Sequence, residues 1–208
     1  MARMKKEYDP NKAGRRKRRP IIYIICEGKE TETKYFRHFR TRKCLVDIVP
    51  ISSKYQAAEH LVKHAKSLVQ QDYYPKDGDQ IWCVFDCDDN SDVSIRNATE
   101  YAQKQGYKVV YSNPCFEYWY LLHFVRHYSH INSPDEVLRL LQSKGRLENY
   151  EKSLDVFTEL LPMQNEAAQR AKERIVQLQR NGTPVLSRDS NPCTTVYELV
   201  AYLNGMNG

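Results

Sequence analysis

The chain has 208 residues, 32 Lys and Arg against 26 Asp and Glu, a formal net charge of +6 and 41% hydrophobic residues. That length buries a sizeable core without help from disulfides or a structural metal, and no uncharged run approaches the roughly 18 residues of a membrane span, so a membrane role is not expected. The six cysteines (Cys26, Cys44, Cys83, Cys87, Cys115, Cys193) form no CxxC pair and follow no secretory leader, the pattern of reduced core thiols in a cytoplasmic protein.

The positive charge is concentrated at one end. Residues 1–20 carry nine Lys or Arg and two acids, net +7, whereas the other 188 residues carry 23 and 24, net −1. This apolar-poor stretch, closed by Pro20, reads as a flexible tail. Its cluster Arg15, Arg16, Lys17, Arg18 and Arg19 suits a phosphate backbone, adding salt-dependent affinity with little sequence selectivity. A solubilising role explains the same composition.

From residue 21 onward the chain reads as one domain. IIYIIC (21–26) is a uniformly apolar, β-prone run, the mark of a strand buried on both faces. EGKETETKYFRHFRTRKC then predicts a helix with Tyr35, Phe36 and Phe39 on one side and a basic end at Arg40, Arg42 and Lys43. LVDIVPI (45–51) predicts a second strand and residues 55–70 a second helix. After the turn residues of YYPKDGD, IWCVF (81–85) predicts a third buried strand running into DCDDN. A helix over 94–105, stopped by Gly106, leads to a fourth strand at 107–112.

Beyond Pro114 the pattern is helical: an aromatic buried helix in CFEYWYLLHFVRHY, then SPDEVLRLLQSKG with Ser133, Pro134 and Glu136 as a capping box. Further helices are expected in KSLDVFTELL, in QNEAAQRAKERIVQLQR closed by Asn181 and Gly182, and in TVYELVAYLN. The fold class expected is α/β: a mainly parallel sheet flanked by helices, with a helical C-terminal half packed on it.

In such sheets ligand chemistry sits beyond the carboxyl ends of the strands. Strand one ends at Glu27, strand three at Asp86, Asp88 and Asp89, and strand four at Asn113, so acids distant in sequence converge on one rim. Asp86 and Asp88, two apart, share a side in extended backbone, while Asp89 points elsewhere. Such hard oxygen ligands suit Mg²⁺, or Mn²⁺, shared with substrate phosphates. Glu27 can ligate metal or act as base or acid. A solvated loop cap and an acidic first helical turn explain the same residues without chemistry.

Glu117, in the first turn after strand four, is a further candidate ligand. Gly28 supplies the turn, Asn113 is held extended by Pro114, and His123 lies in an apolar helix where a core histidine is the ordinary reading. Lys29 and Lys34 flank the turn and can reach phosphate, while Glu30 and Glu32 read as surface residues of the outgoing helix. Asn191, Pro192, Thr194 and Thr195 read as a cap over the site or as structure. EGKETE is no Walker A loop, and His60 and His64 lack the glutamate of HExxH.

Three ordered blocks, IICEGKETETKYF, WCVFDCDDN and SNPCFEYWYLLHF, with NPCTTVYELV near the end, resemble the RloB-like family, whose core is similar to the TOPRIM domain of topoisomerases, primases and some nucleases. The resemblance implies a glutamate after the first strand and a DxD after a later one, here Glu27 and Asp86 with Asp88. It also implies metal-assisted cleavage of RNA, tRNA included, or of DNA. Its further implication is an AAA- or ABC-type ATPase partner in an anti-phage defence locus. A homo-oligomer is open. The competing expectations are a non-catalytic module that binds nucleic acid or protein, and a phosphatase or phosphotransferase acting on small esters.

Overall fold

The computed structural model describes residues 18–28, 30–41, 44, 47–55, 57–69, 73–88 and 90–206. Arg15, Arg16, Lys17, Lys29 and Asp89, named above, lie outside the described residues, as do Arg42 and Lys43.

The protein is mixed α/β, built on a five-stranded sheet in the order β2-β1-β3-β4-β5. Four strands are parallel: β1 (Ile21–Cys26), β2 (Asp47–Ser52), β3 (Gln80–Asp86) and β4 (Lys108–Asn113). The fifth, β5 (Cys193–Thr194), runs antiparallel to β4, with Ser112 opposite Thr194 and Asn113 opposite Cys193. Between the parallel strands lie α1 (Thr31–Arg37), α2 (Ala58–Leu68) and α3 (Asp92–Gln105), as the connection rule for parallel pairs demands.

The sheet is covered on both faces because alternate side chains of each central strand enter different cores. Ile22, Ile24, Trp82, Val84 and Val110 pack with Tyr35 and Phe36 of α1, with α4 (Glu117–Phe124) and with α8 (Val196–Gly205). Tyr23, Ile25, Ile81, Cys83, Phe85 and Tyr111 pack with Leu61 and Val62 of α2 and Ile95 and Ala98 of α3. The helical half joins the first core through α5 (Pro134–Leu141), α6 (Phe157–Leu160) and α7 (Gln164–Arg180). α4 is buried from Glu117 through His123, which explains its apolar sequence on all sides.

Several expected boundaries move. α1 stops at Arg37, before the basic residues expected to close it. The aromatic helix ends at Phe124, where Val125 turns extended. KSLDVFTELL is α-helical only over Phe157–Leu160, and just ahead of it the Asp155 carboxylate accepts from the Phe157 N–H (3.3 Å). In the capping box, Ser133 Oγ accepts from Glu136 N–H as expected, but Glu136 reaches the N–H of Asn132, one residue further back. NPCT contributes β5, and Thr195 Oγ1 accepts from the Tyr111 N–H, so the proposed cap residues seal the sheet edge instead.

At the start of β1 the Asp79 carboxylate accepts from the backbone N–H groups of Ile21 (2.7 Å) and Tyr74 (2.8 Å) and pairs with Arg18 (2.9 Å). Arg19 reaches the Cys44 carbonyl. Both arginines, expected in a free tail, are tied to the body at the end of β1 opposite the site. At the other sheet edge, β2, the N–H groups of Asp47 and Ser53 donate to Pro20 and Cys26 (2.8 Å each). Pro50, out of phase with them, therefore turns its donor-less nitrogen outward. Among the described residues no helix is long and apolar enough to cross a membrane.

Candidate functional site

The carboxyl ends of β1 and β3 open into a cleft of about 830 Å³, lined among others by Glu27, Glu32, Asp86, Asp88, Glu117 and Lys152. Each acid arrives by a different route. Glu27 follows β1 directly; its N–H extends the ladder to Val84 O (3.0 Å), and its Oε2 accepts from the N–H of Asp86 (3.1 Å). Two strand ends are thereby locked together through one of the acids.

Asp86 is the last residue of β3, and its Oδ1 is buried with no hydrogen-bond partner. Burial, reinforced by the charges of Glu32, Glu117 and Glu27, pushes its carboxyl well above the usual range. Past Asp86 the chain bends rather than staying extended. Cys87 N–H donates to Ser112 O and Asp88 N–H to Pro114 O (3.1 Å), so Asp88 sits exposed at the rim while Asp86 forms the floor. Arg188 holds this bend by donating to the carbonyls of Asp88 and Asn90. Asn90 fastens it to α2, donating to Asp86 O and accepting from Ala58 N–H.

Glu117 opens α4 and is 3% exposed; the Asn113–Pro114 peptide at the end of β4 is cis. Glu32 is the correction. Expected on the surface, it is 4% exposed, and its Oε1 accepts from the Gly28 N–H (3.2 Å). Burial, then the Glu117 charge, raises its pKa, though the hydrogen bonds to backbone N–H groups oppose this. Gly28 makes the approach possible: a Cβ there would fall 2.6 Å from Glu32 Cδ, with the carboxylate oxygens in overlap. Gly28→Ala is expected to expel the Glu32 carboxylate and cost about tenfold in divalent-cation affinity, the loss of one charged hydrogen bond, measured by Mn²⁺ titration on a protein that keeps its circular dichroism.

The other named residues play different parts. Asn113 does not present its amide to the cleft: its Nδ2 donates to Ser187 O and Arg188 O (3.1 Å each) and its Oδ1 accepts from Asn191, stitching β4 to the 187–191 turn. His123 lies away from the cleft lining, its Nδ1 bonded to Trp119 O (2.9 Å). Burial lowers its pKa to about 4, so it is a neutral core residue. Lys34 pairs with Glu30 (2.8 Å) and donates to Ser153 O (2.7 Å), a structural use.

Lys152 was missed because its segment reads as a helix start. In the structure residues 142–156 hold no helix or strand.

Among the described residues no three His, Cys, Asp or Glu form a ready cage for a metal. A hard cation needs no such cage: Mg²⁺ keeps several waters and takes one or two carboxylates beside substrate phosphates. The donor set fits that cation. The buried, unpartnered Asp86 Oδ1 is a lone acceptor facing other carboxylates, and a divalent ion would relieve both the desolvation and the repulsion. The nearby thiols do not compete, since burial, then Glu32 for Cys26 and Glu117 for Cys115, pushes both well above their ordinary values.

Comparison with curated proteins gives no match, and comparison with solved structures gives none. A family model described as RloB-like protein matches residues 22–203, a span that contains both strand ends, all five acids and β5. The chain belongs to the RloB-like protein family.

Proposed function

We propose that the protein is a TOPRIM-like, Mg²⁺-dependent nuclease that hydrolyses phosphodiesters of RNA, tRNA included, or of DNA, with Mn²⁺ able to replace Mg²⁺. The observation that carries this reading is the unpartnered, buried Asp86 Oδ1 at the floor of a carboxylate-rich cleft where parallel strands end. A site built only for folding would not leave that oxygen unpaired among like charges. Glu27, Asp86, Asp88 and Glu117 would hold the cation, which supplies Lewis-acid stabilisation of charge on the transferring phosphoryl group.

The chain's own residues do the positioning. Glu27, oriented by the Asp86 N–H, would present its carboxylate to the cation or to the proton of an attacking water. Glu32, held by Gly28, adds negative charge behind Asp86 and keeps the floor hungry for a cation. The raised cysteines exclude a thiolate nucleophile. Family membership supports an ATPase partner and a role in anti-phage defence as part of the same reading.

The competing reading is a module that binds nucleic acid or protein without cutting. End-labelled tRNA, single-stranded DNA and duplex DNA, incubated with and without Mg²⁺ or Mn²⁺, separate the two. Metal-dependent cuts that disappear in Glu27→Gln support the nuclease. Intact substrates at every condition, with the candidate ATPase present as well as absent, would leave the binding module.

A further inference from the structure

We propose that Lys152 is the substrate-phosphate contact of this cleft, placed by a pinned strap so that its ammonium faces the acids across the space a phosphate fills. This rests on the nuclease reading and names a residue and a ligand group for it. The strap is the irregular segment 142–156 between α5 and α6. It is anchored by its own apolar side chains, since Leu147, Tyr150 and Val156 are buried.

Around Lys152 the strap is tied to the element that carries the site. Thr31 Oγ1 donates to Lys152 O (3.3 Å), Lys34 Nζ to Ser153 O (2.7 Å), and His38 Nε2 meets Asp155 Oδ2 at 2.7 Å while its ring stacks on Phe157. Thr31, Lys34 and His38 all belong to α1 or the turn after it, and Glu32 lies between them in sequence. Lys152 is therefore fixed relative to the acids by short local links, although 120 residues separate it from Glu32.

Its side chain lines the cleft, yet among the described residues it closes no ion pair with Glu117, Asp86 or Asp88. Those same carboxylates, Glu117 first, raise its pKa against the opposing effect of burial, so the ammonium stays charged. A cation that stands off from acids without touching them leaves a gap with a positive wall and a floor fit for a metal. A phosphate fits that gap: its oxygens meet a metal on one side and an ammonium on the other. A lysine serving only to neutralise the acids would gain more by direct contact.

The test compares wild type, Lys152→Met, Lys152→Arg and, as a control at an exposed position outside the cleft lining, Lys172→Met. Fluorescein-labelled 20-mer RNA and DNA are titrated in Ca²⁺ at several salt concentrations, Mn²⁺ affinity is measured alone, and cleavage is read in Mg²⁺. The expected result is a loss of oligonucleotide affinity of about tenfold in Lys152→Met, with the salt slope reduced by about one phosphate contact. Lys152→Arg recovers most of it, and Lys172→Met matches wild type.

Unchanged oligonucleotide affinity in Lys152→Met, with tighter Mn²⁺ binding, would overturn the proposal and make Lys152 a neutralising residue; cleavage by wild type would then still uphold the nuclease. Binding that depends on Lys152 without cleavage by any protein, with the candidate ATPase present as well as absent, would uphold the proposal and sink the nuclease. No binding of either polymer by wild type overturns both.

Discussion

Asp86→Asn is expected to abolish metal-dependent cleavage and at the same time to make the metal-free protein more stable. The loss should be about a thousandfold or more, because a metal's charge stabilisation of several kcal/mol goes with its floor ligand. The gain follows from the same atom. Asp86 Oδ1 is buried without a partner, among Glu27, Glu32 and Glu117, and an amide there faces the carboxylates with donor hydrogens. Relief of one unsatisfied buried group is worth about 1–3 kcal/mol.

The sign with pH is fixed by linkage. A carboxyl whose folded pKa is raised costs nothing below its unfolded value near 4 and destabilises progressively as pH climbs through the folded value. The stability advantage of Asp86→Asn should therefore be small near pH 4 and grow toward pH 8. Urea unfolding at four pH values reads it. A variant that is inactive and also less stable at pH 8 would mean that Asp86 is a structural keystone, not a cation ligand.

The second large effect is on the wild-type protein. At pH 8, Mg²⁺ or Mn²⁺ at about a hundred times its dissociation constant should stabilise the fold by about 2.7 kcal/mol, a rise in melting temperature of roughly 5–10 °C for a chain of this size. Near pH 5 the rise should shrink, because Asp86 and Glu32, both with raised pKa, hold protons that the cation must displace. Asp86→Asn should show little rise at either pH. An equal rise in both proteins would place the cation elsewhere, and scanning calorimetry with Ca²⁺ and NaCl controls distinguishes these outcomes.

The part of the fold legible in the sequence is the part specified locally. IIYIIC and IWCVF are apolar at every position because both faces of β1 and β3 are covered, and each run ends where its first acid begins. That made Glu27 and Asp86 readable as strand-end acids. Glu32 was misplaced because its own neighbours describe an exposed helical turn, whereas its burial comes from Gly28 beneath it and a strap 120 residues away. Lys152 was invisible for the complementary reason: its segment reads as the start of a helix, whereas in the fold it belongs to an irregular strap held by hydrogen bonds to α1. Asn113 and His123 were noticed for their chemistry, yet the hydrogen bonds that occupy them run to Ser187, Asn191 and Trp119. β5, two residues long, is below what pattern can detect.

The outward-facing nitrogen of Pro50 bears on how the protein keeps company. A sheet edge normally offers a row of donors and acceptors on which another chain can template itself. On β2 the middle donor of that row is missing, and a strand laid beside it would leave an acceptor unmatched. At the opposite edge β5 is two residues long, too short to seat a guest. Both borders thus discourage edge-to-edge aggregation and leave helical faces and loops, where side chains rather than backbone set the specificity, as the surfaces on which a neighbour finds more to hold.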